Sequence, residues 1–580
     1  MEKIIVRRDL STTSAALAAT DLHPLLKRIY QARGVQAQHE LEKDLASLLP
    51  FNDLLNIDTA VERLFLALSL QQRILVIGDF DTDGATSSAL AVSALRQFGA
   101  NDVNYLVPSR FTEGYGLSPE IIKIAALDKP DLIITVDNGI ASIEGVKAAN
   151  QLGIEVIITD HHLPGPILPA ATAIINPNQP GDKFASKNLA GVGVIFYVML
   201  ALRSHLLARH WFDEQGISKP NMAQFLDLVA LGTVADLVPL DKNNRALVHE
   251  GLKRIRQQRC RPGIQALLTV ANRNVLNLTT SDLGFAVAPR LNAAGRLDDM
   301  SIGISCLLAE DFSKAMILAQ QLDGLNNERR VIEADMKQQA FSALNQIKLQ
   351  QKHKHLPAGI CLYADEWHQG VIGILAARIK DYYHRPVIAF APGHEGEVKG
   401  SARSIPGLNI RDLLATIAAR ESNLIEKFGG HAMAAGLSLR RENYDRFALL
   451  FVEEVKNSLD EDSLTNRIYS DGMLAADEFS VQIAELLQEA GPWGQHFPEP
   501  LFDGVFNVLE QRLVANKHLK ISLQLDSSQK VLEAIAFNID LDRWPNQRCN
   551  RVSLAYRLGI NDYNGLRRLQ LIVEAITAVG

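Results

Sequence analysis

Five short apolar runs constrain what this chain can fold into more than any other feature. They are RILVIGDF (73–80), DVNYLVP (102–108), DLIITVDNG (131–139), EVIITDHH (155–162) and TAIINP (172–177). A run that is apolar at nearly every position has no polar face to leave in water, so both sides of the strand must be covered. Each run ends in a turn, and most lead into an amphipathic stretch such as ATSSALAVSALRQFG. Strands alternating with helices in this way predict a parallel, doubly wound α/β sheet. FLDLVALGTVADLVPL (225–240) closes this domain with a helix and a turn.

At 580 residues the chain exceeds what one core can serve, so several domains are expected. Residues 1–50 read as a helical lead-in and 51–270 as the parallel-sheet domain. The span 271–352 reads as a helical connector, because 310–350 carries no proline and a single glycine. KHKHLP then punctuates the chain, and a second α/β domain is expected over 353–457, beginning near AGICLYADEW. KNSLDEDSLTNR reads as a linker. The rest, 466–580, alternates short strands with turns and predicts a small all-β barrel of the oligonucleotide-binding kind.

Composition narrows the function classes. No apolar run reaches the ~18 residues of a membrane span, and the N-terminus lacks a secretory core, so a cytoplasmic protein with no membrane partner is expected. The four cysteines, Cys260, Cys306, Cys361 and Cys549, are scattered, which argues against a zinc ribbon or a disulfide framework. A net charge of −7 argues against a protein that coats nucleic acid, though not against a local basic channel.

Ligands of open parallel sheets sit at the carboxyl ends of the strands. Three strand ends here carry metal-type ligands: Asp79, Asp81 and Asp83 in GDFDTDG, Asp137 in VDNG, and Asp160, His161 and His162 in TDHH. Asp236, in GTVAD, follows a helix that can return to the same edge. One D-x-D after a strand is an ordinary solvated turn, and one His-His pair is an ordinary surface pair. All of them on one edge make a metal site the better reading. Oxygen ligands with one or two imidazoles suit manganese or magnesium better than zinc, and this many carboxylates can hold two ions ~3.5–4 Å apart.

These motifs, D-x-D-x-D-G, VDNGI, TDHH and GTVAD in that order, resemble those of the DHH phosphoesterase superfamily. EWHQGVIGI, KGSARS and FGGHAMAAG resemble its partner, the DHH-associated domain. PSRFTEGYGLS (108–118), PRLNAAGRLDD, the connector and HLKISL are similar to the branch that degrades single-stranded DNA from its 5′ end. The resemblance implies a hydrolase with two Mn2+ or Mg2+ ions. Asp81 and Asp83 would ligate different ions, Asp137 would bridge, and His161 and Asp236 would complete the set. Asp79 would be either a further ligand or a residue behind the ligands, and His162 would stand beside the scissile phosphate. Ile77 occupies the position at which the pyrophosphatase branch has a histidine, which argues against that activity.

The resemblance also assigns phosphate grips: Arg110, Arg290 and Arg296, then Ser401 and Arg403 in GSARS, and Gly429, Gly430 and His431 in GGH. It implies single-stranded DNA as substrate, single-strand-binding protein and a helicase as partners, and a monomer acting in DNA repair and recombination. Two other readings have less support. Short-oligonucleotide or cyclic-dinucleotide hydrolases lack the β domain and the PRLNAAGR region, and a non-catalytic scaffold would not keep Asp81, Asp83, Asp137, His161 and Asp236 intact. The basic tract KRIRQQRCRPG, with five basic residues from Lys253 to Arg261, reads as a solvated helix face. LAGVGVIFYVML reads as the tight start of a helix, not a dinucleotide fingerprint.

Overall fold

A computed structural model describes the chain apart from residues 1–2, 10–14, 111–115, 351–355, 395, 461, 516, 527, 541–543, 545–548, 564–565 and 580, and the side chains of 15, 347–350 and 563. Parts of PSRFTEGYGLS and KHKHLP, and the side chain of Tyr563, therefore lie outside the described residues. The chain forms two units. The first is Asp9–Asn326 with Gln482–Pro500, and the second is Met1–Arg8, Asn327–Val481 and Leu501–Gly580.

The first unit is built on the five apolar runs. They form strands β1 (Ile74–Ile77), β2 (Val103–Leu106), β3 (Leu132–Val136), β4 (Glu155–Thr159) and β5 (Ala173–Ile175). All pair in parallel, in the order β2-β1-β3-β4-β5. Every residue of β1 and β3 is buried, because helices cover both faces. On one face Leu75, Ile77, Ile133, Val156 and Ile158 pack with Ile121, Ile122, Val146 and Ala149 of helices Pro119–Ala125 and Ile143–Gln151. Helices α1 (Thr82–Gln97), α2 (Gly191–Ala208) and α3 (Leu226–Ala235) pack together elsewhere in this unit. Among the described residues α2 is the one helix long and apolar enough to cross a membrane, yet most of it is buried in this unit. The strand order places β2 and β3 on opposite sides of β1, so the chain reverses its direction of winding there. The crevice beyond the carboxyl ends of β1 and β3 is where such sheets bind ligands.

The connector region is several helices, among them α4 (Ala288–Leu297) and α5 (Phe312–Gln350), a helix of 39 residues. The boundary between the two units falls inside α5.

The second unit carries a mixed sheet and a barrel. The sheet has strands β6 (Ile360–Tyr363), β7 (Val387–Pro392), β8 (Glu397–Arg403), β9 (Lys427–Gly430) and β10 (Ala434–Arg440), in the order β9-β10-β8-β7-β6. The closed barrel is β11 (Phe502–Val514), β12 (His518–Gln524), β13 (Val531–Ala536), β14 (Arg551–Tyr563) and β15 (Leu566–Ala578), with β13 and β15 parallel at the closure.

Two segments differ from a plain reading of the sequence. The lead-in is not wholly helical: Ile4–Arg7 is a strand that pairs in parallel with Arg467–Ser470 in the second unit. Gln482–Pro500 lies in the first unit although its neighbours on either side lie in the second. Trp493 stacks on Phe497 there at 5.2 Å, Arg245 lies 4.3 Å over Phe497, and the Tyr30 hydroxyl donates to Ala490 O.

Candidate metal centre

β1 delivers the chain to Gly78 and the loop Asp79–Asp81, and α1 begins at once. Asp81 is its N-cap and accepts from Gly84 N–H at 3.0 Å. The turn is so tight that a Cβ on Gly84 would lie 2.5 Å from the backbone of Asp79. Asp83, in the first turn of α1, is fully buried, and its two oxygens accept from Gly191 N–H (2.6 Å) and Val192 N–H (3.0 Å). These are free donors at the N-terminus of α2, where the helix dipole favours a carboxylate. LAGVGV thus serves the carboxylate loop, and its glycines allow the approach: a Cβ on Gly191 would come within 2.5 Å of Asp137 Cβ.

Asp137 follows β3 with φ +62°, a left-handed backbone uncommon outside glycine and enriched at functional sites. Asn138 holds that turn by donating to Ile77 O and Val136 O, which ties the ends of β1 and β3 together. After β4, Asp160 accepts from Ile140 N–H, His161 N–H, His162 N–H and His162 Nδ1–H, the last at 2.7 Å. Asp160 therefore fixes the DHH turn and orients His162. His161 Nε2 lies 3.1 Å from Asp137 Oδ1 and 3.6 Å from Asp236 Oδ2. Asp236 caps the C-terminus of α3.

Ligand atoms converge in three sets, each with mutual separations under 4.8 Å: Asp79, Asp81 and Asp137; Asp83, His161 and Asp236; and Asp137, His161 and His162. Asp137 and His161 each belong to two of them.

The electrostatics call for a cation. Burial, and then the charge of Asp81, push Asp79 upward, while burial and Asp83 push Asp137 upward. Burial and Asp236 raise Asp83 to about 7, and burial and Asp81 raise Asp236 to about 7. Burial lowers His161, which keeps its ring neutral and able to ligate. His161 Nε2 is buried and makes no hydrogen bond in spite of the nearby carboxylates. Hard oxygen donors and a neutral imidazole nitrogen without a hydrogen bond fit divalent manganese or magnesium. Burial opposes charge on His162, but its bond to Asp160 prevails and raises it to about 9. Asp160, which burial would raise, is held low by the same bond.

Arg110 also belongs here. Its guanidinium stacks 3.8 Å over the Phe80 ring, its Nε–H donates to Gly295 O, and it feels the charges of Asp79 and Asp81. Arg290, expected above to grip substrate, finds partners inside this unit. It is 7% exposed, pairs with Asp323 at 2.7 Å and donates to Ala286 O, so it braces α4 and does not reach outward. Arg296, also on α4, is half-buried. The tract 253–261 is more than a solvated face: Arg256 donates to Leu278 O, and Arg261 pairs with buried Asp227.

In the second unit Ser401 and Arg403 stand on β8, where Arg403 donates to Ser401 Oγ at 3.1 Å. Gly429 and Gly430 end the edge strand β9, and His431 N–H donates to Ala434 O. Gly430 pairs with Ala435 and Ala435 with Ala402, so these residues share one end of the sheet. Trp367 is buried and donates to Gln339 Oε1, which makes it a packing residue. In the barrel Tyr556 is core, whereas Phe537 is exposed.

Comparison with known proteins agrees with this architecture. The family model for the DHH family, N-terminal domain, matches residues 73–233, the DHHA1 domain matches 357–457, and the RecJ OB domain matches 470–575. The single-stranded-DNA-specific exonuclease RecJ of Salmonella typhimurium is 53% identical over 98% of both chains. The chain belongs to the RecJ family. The Escherichia coli RecJ is 52% identical over 99% of both chains. RecJ of Thermus thermophilus in complex with Mn2+ superposes over all of this chain and 80% of its own, with TM-score 0.79 and 28% identity. Its complex with Mg2+ gives 0.74 and 26% over 79% of that chain.

Proposed function

We propose that this protein is a metal-dependent 5′→3′ exonuclease that degrades single-stranded DNA to mononucleotides during repair and recombination. The observation that carries this reading is the convergence of three ligand sets at the switch point of the parallel sheet, with Asp137 in two of them. Asp79, Asp81 and Asp137 would hold one ion, and Asp83, His161 and Asp236 the other. The ions these residues would hold would supply an acidified water and positive charge against the phosphodiester.

The chain's own groups supply the rest. Asp83, fixed by two N–H donors, and Asp137, fixed by its turn, keep the ligand oxygens from swinging away. His162 carries its proton at neutral pH and donates to the phosphate as negative charge develops, while Asp160 aims it. Arg110 receives a phosphate beside the site, and Arg296, Ser401, Arg403, Gly429, Gly430 and His431 take further phosphates along the strand. Single strands are chosen because stacking and phosphate contacts need unpaired, flexible DNA. A helicase supplying ends and single-strand-binding protein covering them are the expected partners of a monomeric enzyme in the cytoplasm.

The test is product release with Mn2+ from single-stranded DNA labelled separately at each end, beside Asp137→Ala and a blunt duplex. Mononucleotides released first from the 5′ end, slowly from duplex and not at all by the variant, uphold the reading. Intact DNA that stays bound by the wild type overturns it in favour of a scaffold.

A further inference from the structure

The loop between Asp79 and Asp83 packs three carboxylates into five residues, and their mutual repulsion works to open it. Something outside the loop must hold it shut. Thr82, between Asp81 and Asp83, is fully buried. Its backbone N–H donates to Asn292 Oδ1 at 2.8 Å, across 210 positions of sequence, and its hydroxyl is shared between Asn292 Oδ1 at 2.9 Å and Ala288 O at 3.1 Å. A backbone N–H can only donate, so the atom facing it is the carboxamide oxygen. Helix α4, which carries Asn292 and Ala288, also approaches this loop at Gly295. Gly295 lies so close that a Cβ there would be 1.8 Å from Phe80 O, and Arg110 Nε–H donates to Gly295 O. The helix is itself anchored by the ion pair of buried Arg290 with Asp323.

We infer that Asn292 is a positioning residue that sets metal affinity by pinning Thr82, and with it the spacing of the carboxylates on either side. The inference rests on the metal-centre reading above. Thr82 is the first residue of α1, and its N–H is one of the donors that a helix start leaves unpaired. Without Asn292 that N–H is left buried without its acceptor, and the turn that spaces Asp81 and Asp83 is free to shift toward another one.

The test is calorimetric titration of Mn2+ into the metal-stripped full chain without DNA, followed by kinetics on a labelled single strand. Asn292→Leu keeps the bulk and removes the acceptor. It is expected to weaken Mn2+ binding about 10–100-fold, as loss of a residue behind metal ligands does, and to recover kcat at saturating Mn2+ with KM for DNA unchanged. Asn292→Asp restores the acceptor and is expected to bind Mn2+ close to wild type, a rescue that a purely structural role would not give. Thr82→Val removes one of the two donors and decides the matter should Asn292→Leu not fold: removing the donor is expected to leave Mn2+ binding within threefold of wild type. Asn292→Leu titrating like wild type, Asn292→Asp binding as weakly as Asn292→Leu, or Thr82→Val losing tenfold or more overturns the inference. Asp137→Ala separates the two claims: Mn2+ binding that survives in it defeats the metal-centre reading, whereas binding lost in it and kept in Asn292→Leu defeats only the role of Asn292.

Discussion

The two candidate groups of functional residues are built in opposite ways. In the first unit Asp79, Asp83 and Asp137 are buried, and Asp83 and Asp160 are held by two or more donors each. In the second unit every residue of the edge strand Lys427–Gly430 is exposed, and a Cβ on Gly429 would meet nothing within 4 Å. Chemistry on a phosphodiester needs groups fixed before the substrate arrives, because reorganisation then costs nothing at the moment of reaction. A grip on a moving strand needs the reverse, open donors that bind and release. The contrast predicts that substitutions in the first group lower kcat and those in the second raise KM.

The largest effect is expected at the shared ligand. Asp137→Ala should lose about 1,000-fold or more in kcat/KM, several kcal/mol of transition-state stabilisation, while fluorescence anisotropy shows single-strand binding kept within a few-fold. A variant that loses binding and rate together would erase the contrast. Next comes the aimed imidazole: His162→Ala should lower kcat about 100-fold with KM little changed. Asp160→Asn should bring the pKa of His162 down from about 9, so that kcat falls with rising pH earlier than in the wild type. In the second unit Arg403→Ala should raise KM about tenfold at constant kcat and flatten the dependence of binding on salt. A fall in kcat instead would place Arg403 with the first group.

The smallest effect is on stability without metal. Asp83 and Asp236 sit near 7 in the folded chain against an ordinary 3.8, so each favours the fold fully below about 4 and loses that contribution as pH rises through 7. Melting of the metal-stripped protein should therefore drop by a few degrees between pH 6 and 8. Asp236→Asn should shrink that drop, and Mn2+ should raise Tm most at pH 8. An equal Mn2+ shift at both pH values would mean that the ion does not replace those protons.

Most of the first unit was legible in the sequence, because a strand buried on both faces has few residue choices: ILVI and LIITV can hardly be anything else. Carboxylates at the ends of such strands were legible for the same reason. The supports were not. Asp83 is held by the N–H groups of Gly191 and Val192, and any residue but proline carries that donor, so composition gives no sign of it. Asn292 meets Thr82 across 210 positions of sequence, a contact that only folding creates. Asp160 read as one more possible ligand in TDHH, and only its geometry shows it holding His162. Arg290 stands in the same motif as Arg296, and nothing in PRLNAAGR says that the first turns inward to Asp323.

The path of the chain has a consequence for how the molecule is made. It passes between the two units four times, and the stretch Gln482–Pro500 is the last piece of the first unit to leave the ribosome. At synthesis rates of about 5–20 residues per second, the carboxylate-bearing sheet has emerged long before its final segment, with Trp493 and Phe497, can dock against Tyr30 and Arg245. A nascent chain stalled before residue 482 would carry all the proposed metal ligands on an unfinished domain. Nuclease activity is then delayed until translation is nearly over, and a truncated product does not behave as a smaller, self-sufficient enzyme.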